Sequence, residues 1–267
     1  MAIKGAVLGD ILGAQYEFDR PRDLDWKNVP LTIGDAIGFT DDSVMALAIK
    51  KAVVESKGLL PKDDLVKTMV SIGREYPFCG YGGRFYNWIN GRRHEPYGSW
   101  GNGSAMRVAF VGEYYEDYDE MQKKAEDTAV VSHNHPEGIK GAVVTATCVW
   151  MARHGKSKAE IYDYVLGEYP KESYEYSIGY SLDEIRPRYK WTESCQGSVP
   201  AAMRCFYESR DYESFIRNVF SLECDSDTFG AIAGGVAEEF YKGFGSIDAE
   251  GLLKKYLTPE LYEILVM

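Results

Sequence analysis

Positive charge is what this 267-residue chain is short of: 30 lysines and arginines stand against 41 aspartates and glutamates, a formal net charge of −11. An acidic surface repels phosphate backbones, which argues against broad DNA or RNA binding while leaving room for a local phosphate site. Cysteine is also scarce. The five, Cys79, Cys148, Cys195, Cys205 and Cys224, are odd in number and show no C-x-x-C spacing. That pattern indicates neither a disulfide framework nor a zinc site, and points to a reduced, cytoplasmic protein. No stretch approaches the roughly 18 consecutive apolar residues of a membrane span. The apolar opening "MAIKGAVLGDILGAQYEF" is broken by Asp10 with no cleavage site after it, so no secretory signal is expected. Alternating apolar and polar runs bounded by hairpin turns are few, which leaves little for a sheet.

What is present reads mainly as helix. Val44/Met45, Ala48/Ile49 and Ala52/Val53 recur at a spacing of four, the apolar face of a helix. A second helix is expected from Pro136 through Ile139, Val143, Ala146 and Trp150 to Gly155, and another around Phe215, Ile216, Val219 and Phe220. Two segments carry small residues at helical spacing: Gly5, Gly9 and Gly13 near the start, and Gly230 and Gly234 with Ala233 and Ala237 near the end. Each glycine costs a helix about 1 kcal/mol relative to alanine, so repetition on one face implies close backbone approach in the middle of a bundle. Residues 76–104, dense in glycine and aromatics, and residues 169–198, rich in Tyr, Ser and Glu, read as irregular. With no repeat, low-complexity tail or linker, residues 1–267 read as one domain.

Two helix starts carry more acid than a helix needs. "GFTDDS" places Thr40, Asp41 and Asp42 together, and "ECDSDTFG" places Asp225, Asp227 and Thr228. One such residue caps a helix, and acid in the first turn suits its dipole. Neither reason calls for the second carboxylate, twice, each time with a threonine. Four carboxylates brought together repel one another, and a divalent cation relieves that repulsion. Oxygen-only donors select a hard ion such as Mg²⁺, Mn²⁺ or Ca²⁺. "DSDTFG" imitates the opening of an EF-hand, but Phe229 and Val236 fall where ligands belong and the bidentate glutamate is missing.

Taken in order, "GAVLGDILGAQYEF", "FTDDS", "GSWGNGSAMRV", "SHNHPEGIKGA" and "DSDTFGAIAGG" resemble the ADP-ribosylglycohydrolases, over residues 5–235. The resemblance implies an all-α fold, a single-domain orthogonal helical bundle around a cleft holding two Mg²⁺ or Mn²⁺ ions. It implies metal ligation by Thr40, Asp41, Asp42, Asp225, Asp227 and Thr228. Glu17 matches the family's active-site glutamate. The loop Gly98, Ser99, Trp100, Gly101, Asn102 and Gly103 matches the segment that wraps ADP-ribose, with Trp100 near the adenosine. His133 matches a position beside the phosphates, with His135 close enough in sequence to be its alternative. Asp10 belongs to the pattern as a supporting or packing residue, and Arg107 is expected to form a structural ion pair. Members specific for ADP-ribosyl-arginine often carry aspartate where this chain has Ser99, which resembles the other branch and its "GSYGNG" type of loop.

The chemistry suits those residues. Hydrolysis of a ribosyl bond passes through an oxocarbenium-like transition state. Cations can hold the ribose hydroxyls and orient water, a carboxylate such as Glu17 can act as acid or base, and backbone N–H groups of residues 98–103 can cradle a diphosphate. The expected substrate is an ADP-ribosylated protein or an ADP-ribose-containing small molecule. Alternatives are a two-metal phosphohydrolase, although the His-Asp dipeptides of one helical phosphohydrolase family are absent, and a non-catalytic crystallin-like relative, although every ligand position is filled.

Overall fold

The computed structural model describes residues 1–34 and 38–267. Among the described residues there is no β-strand, only an isolated bridge between Gly101 and Ser194. In chain order the helices are α1 (Ala2–Gly13), α2 (Asp41–Glu55), α3 (Lys62–Glu75), α4 (Gly83–Asn90) and α5 (Gly103–Met106). Then come α6 (Ala109–Tyr114), α7 (Tyr118–Val130), α8 (Pro136–Arg153), α9 (Lys158–Glu168) and α10 (Leu182–Ile185). The last five are α11 (Cys195–Tyr207), α12 (Tyr212–Phe220), α13 (Ser226–Tyr241), α14 (Ala249–Tyr256) and α15 (Pro259–Val266). No helix among the described residues is long and apolar enough to cross a membrane.

The two small-residue helices pack on each other at the centre. A Cβ added to Gly9 would lie 2.1 Å from the Gly230 carbonyl oxygen, and one on Gly5 2.3 Å from that of Gly234. Every residue of α1 except Lys4 is buried, as expected for a helix apolar on all sides. Around this pair, α8, α11 and α12 lie against α13, while α2 and α6 flank α1. Side chains tie the layers at their polar edges. The Tyr212 hydroxyl donates to the Gly5 carbonyl at 2.6 Å, and the Ser226 hydroxyl donates to that of Gly13 at 2.7 Å. One buried cluster runs from Ala2 to Leu265.

Two stretches expected to be irregular contain helix. Within residues 76–104 lies α4, whose Phe85, Trp88 and Ile89 are buried. Their i, i+3, i+4 spacing is a helical signal that the surrounding glycines obscured. Within residues 169–198 lies α10, a single turn closed by a capping box of Ser181 and Glu184.

Candidate active site

The starts of α2 and α13 open onto one cavity of about 210 Å³. Its walls include Asp41 and Asp42 from α2, Asp225, Asp227 and Thr228 at the start of α13, and Glu17. Close approach of α1 to α13 brings them together: Gly13 packs on Ser226, and Glu17 follows the 3₁₀ turn Ala14–Tyr16 at the end of α1.

Capping leaves the carboxylates free. At α2 the Thr40 hydroxyl accepts from the Asp42 amide at 3.3 Å and so caps the helix. Thr40 in turn is held by Asp10, whose carboxylate accepts from the Thr40 hydroxyl at 2.7 Å and from the Thr40 and Ser43 amides at 3.0 Å each. The Ser43 hydroxyl also donates to it. Asp10 is thus a buried bracket that fixes the start of α2. At α13 the N-cap residue Asp225 makes no side-chain capping bond. It accepts instead from the Asn102 side-chain amide at 2.7 Å. The two helix starts meet where the Thr228 hydroxyl donates to Asp42 Oδ2 at 3.3 Å.

One ligand atom from each of Glu17, Asp225 and Asp227 lies within 4.8 Å of the others. Among the described residues, none of these carboxylates nor Asp41 nor Asp42 forms an ion pair with lysine or arginine. Loss of water and mutual repulsion hold the protons on. Desolvation, then the charge of Asp227 and a hydrogen bond with it, pushes Glu17 up to about 9. Desolvation first, and neighbouring carboxylates after it, raise Asp41, Asp42 and Asp227 well above the usual range. Asp225 rises to about 7, chiefly through burial. Asp42 Oδ1 is buried with no hydrogen-bond partner. An acidic cluster with an orphaned buried carboxylate oxygen and no ion-paired lysine or arginine among the described residues is a donor set that fits a hard divalent cation.

Ser99, Gly101, Asn102, Gly103 and His133 line the same cavity, whereas Gly98 and Trp100 do not. Trp100 is 48% exposed and meets His135 edge-on at 5.3 Å. The expectation that amides of residues 98–103 are open to an anion needs correction. Gly98 N–H donates to Asn134 Oδ1 at 2.7 Å, Gly101 N–H to Ser99 Oγ at 3.1 Å, and Asn102 N–H to the Glu193 carbonyl at 2.6 Å. These three amides are spent on the loop's own shape, on Asn134 and on residues 193–195, which Cys195 N–H joins by donating to the Trp100 carbonyl at 2.9 Å.

Arg107 also differs from expectation. It is fully buried and forms no ion pair among the described residues. Its Nη2 donates to the Thr128 carbonyl at 2.7 Å and to Ser132 Oγ at 2.9 Å. Glu193, Arg84, Phe85 and Tyr97 line the cavity as well and were not singled out from sequence. Phe85 carried the helical spacing of α4. Glu193 carried no signal, because a bridge to a distant glycine loop places it.

A sequence model described as ADP-ribosylglycohydrolase matches residues 1–237. The human protein "ADP-ribosylhydrolase ARH3" is 27% identical over 305 residues, spanning 90% of this chain and 84% of its own. "Putative ADP-ribosyl glycohydrolase L543" of Acanthamoeba polyphaga mimivirus is 23% identical, spanning 90% of this chain and 86% of its own. A solved structure described as an ADP-ribosylglycohydrolase-related protein complex superposes with a TM-score of 0.74 at 23% identity, over 98% of this chain and 96% of that one. That likeness is one of fold.

Proposed function

Since the chain belongs to the ADP-ribosylglycohydrolase family, we propose that it is a cation-dependent hydrolase cleaving the glycosidic bond between ADP-ribose and an acceptor. The acceptor is a protein side chain or a small molecule, and the product is ADP-ribose. The observation that carries this reading is the convergence of Glu17, Asp41, Asp42, Asp225, Asp227 and Thr228 on one cavity.

In this reading those aspartates and Thr228, with Thr40 behind them, hold two Mg²⁺ or Mn²⁺ ions. Bound there, such ions polarise oxygen and orient water at the ribose. Glu17 supplies the proton traffic. It is half-buried, as is Asp41, but it is attached to the end of α1 rather than to either aspartate pair. It is therefore the group placed to give a proton to the departing atom or take one from water. Asn102 keeps Asp225 turned inward. Ser99 and Gly103, whose amides the loop leaves free, bind the nucleotide diphosphate together with the His133 ring, and Gly101 lines the cavity beside them. Gly98 shapes the turn at φ +67°, and Trp100 offers a flat ring outside the cavity for the adenosine.

The whole of residues 1–267 acts as one domain in this proposal, supported by the single buried cluster. Free cysteines throughout support a reducing compartment, the cytoplasm. The acidic surface supports a substrate other than nucleic acid. Incubation with arginine-linked, serine-linked and O-acetylated ADP-ribose, with Mg²⁺ or Mn²⁺, should release free ADP-ribose from at least one. Release of inorganic phosphate instead would identify a phosphohydrolase, and release of neither would refute the hydrolase.

A further inference from the structure

Three side chains beneath the cavity form a chain of hydrogen bonds whose direction is fixed by what each can donate. Arg107 donates from Nη2 to Ser132 Oγ at 2.9 Å, and Ser132 Oγ lies 2.8 Å from His133 Nδ1. Arg107 and Ser132 are fully buried, and His133 is 4% exposed. Guanidinium has donors only, so Ser132 is the acceptor in the first bond. Were His133 to donate in the second, the serine proton would be left without an acceptor in a site water does not reach. Burial of such a group costs free energy that the opposite arrangement avoids. Ser132 therefore donates to Nδ1, and the proton of the neutral ring sits on Nε2.

The ring is neutral for a physical reason. Desolvation, followed by the charges of Arg107 and Arg84, holds its pKa well below the usual histidine value. Its orientation is set by Phe85 and Tyr97, whose ring centres lie 6.1 and 5.8 Å from its own. Nε2 faces the glycine loop: a Cβ added to Gly103 would stand 3.2 Å from it, and one added to Gly101 3.6 Å. Two further donors of Arg107, Nε and Nη1, are buried without a partner, and Arg107 lines the cavity. The region beneath this loop is thus positive and donor-rich, in the same cavity as the carboxylates.

We propose that Arg107 is a positioning residue which, through Ser132, locks His133 in the Nε2–H form as a donor aimed at an anionic oxygen lodged against residues 101–103. This rests on the proposed reading only in naming that oxygen as one of the ADP-ribose diphosphate.

The tautomer can be read without ligand, from long-range ¹H–¹⁵N correlations of the imidazoles in ¹⁵N-labelled protein. His94 provides a contrast in the same spectrum, because its Nδ1 lies 2.7 Å from the Trp88 carbonyl and must carry the proton. His133 should show the opposite pattern. A wild-type His133 protonated on Nδ1, or mixed, would overturn the proposal without any variant. Ser132→Ala removes the donor to Nδ1, so the single Nε2–H form of His133 should give way to a mixture of tautomers, and ADP-ribose binding should weaken roughly tenfold. Arg107→Met should do the same, and Arg107→Lys should retain the wild-type tautomer. An unchanged tautomer in Ser132→Ala, or a mixture of tautomers with undiminished ADP-ribose affinity, would also overturn it. If Arg107→Met does not fold, the wild-type and Ser132→Ala spectra still decide. Failure of the hydrolase reading appears separately, as no ADP-ribose released by wild-type protein.

Discussion

At the scale of single residues, the site is a set of acids placed where folding does not need them. Thr40 alone caps α2, and Asp225 caps nothing, which is why the surplus carboxylates could be seen in the sequence as candidates for a cation. What was illegible was their support. Asp10 grips Thr40 across 30 positions, and Asn102 grips Asp225 across 123, contacts that no local pattern encodes. The surplus has a measurable consequence. An acid whose pKa is higher folded than unfolded binds more protons folded, so its contribution favours folding less as pH rises between the two values. For Asp225 that window runs from about 4 when unfolded to about 7 when folded, and the other aspartates shift the same way. Melting temperature of chelated protein should therefore fall as pH rises through this window, and Mg²⁺ or Mn²⁺ should restore it most near its upper end. A melting temperature indifferent to chelation at every pH would contradict this. Glu17→Gln keeps the shape but removes the acid, and should lower turnover by about 10²-fold or more with little change in ADP-ribose affinity. Trp100 is exposed beside the cavity rather than in its wall, so Trp100→Ala tests whether the nucleotide reaches it. A loss of about 1–3 kcal/mol in ADP-ribose binding is expected, with cation binding intact.

At the scale of elements, everything depends on how closely α1 approaches α13. Glycines every four residues announced two helices that pack tightly, and the structure shows that they pack on each other, which the separate sequence runs did not reveal. Gly9→Ala would put a Cβ 2.1 Å from a backbone oxygen and 2.4 Å from a backbone carbon of Gly230. Backbone cannot rotate away as a side chain can. The cost should exceed the roughly 1–3 kcal/mol of ordinary overpacking, and the parting of α1 from α13 should carry Glu17 away from Asp227. Gly167 in α9 is the control: nothing lies within 4 Å of its added Cβ, so Gly167→Ala should leave stability unchanged or raise it by up to about 1 kcal/mol. Comparison of the two by denaturant unfolding checks the claim, and an equal response would refute it. The elements missed were those whose apolar spacing was too short to register or lay among glycines. The one-turn α10 is too short for a period to register, and α4 lies among glycines that read as loop.

At the scale of the whole molecule, an acidic protein gathers carboxylates in the lining of one cleft that also includes buried Arg107 and exposed Arg84. A ligand spanning such a cleft needs a hydroxyl-rich end for a cation-loaded carboxylate cluster and an anionic end for the donors. Ribose joined to diphosphate has both. The central claim is that the carboxylate cleft, loaded with divalent cation, is what breaks the bond to ADP-ribose. The most direct measurement follows free ADP-ribose from one susceptible substrate in four parallel reactions: wild type as purified with Mg²⁺ or Mn²⁺, wild type after chelation, chelated protein with the cation restored, and Asp227→Ala with the cation. Release in the first and third, with loss in the second and fourth, is the predicted result. Undiminished release after complete chelation, or from Asp227→Ala, would contradict it.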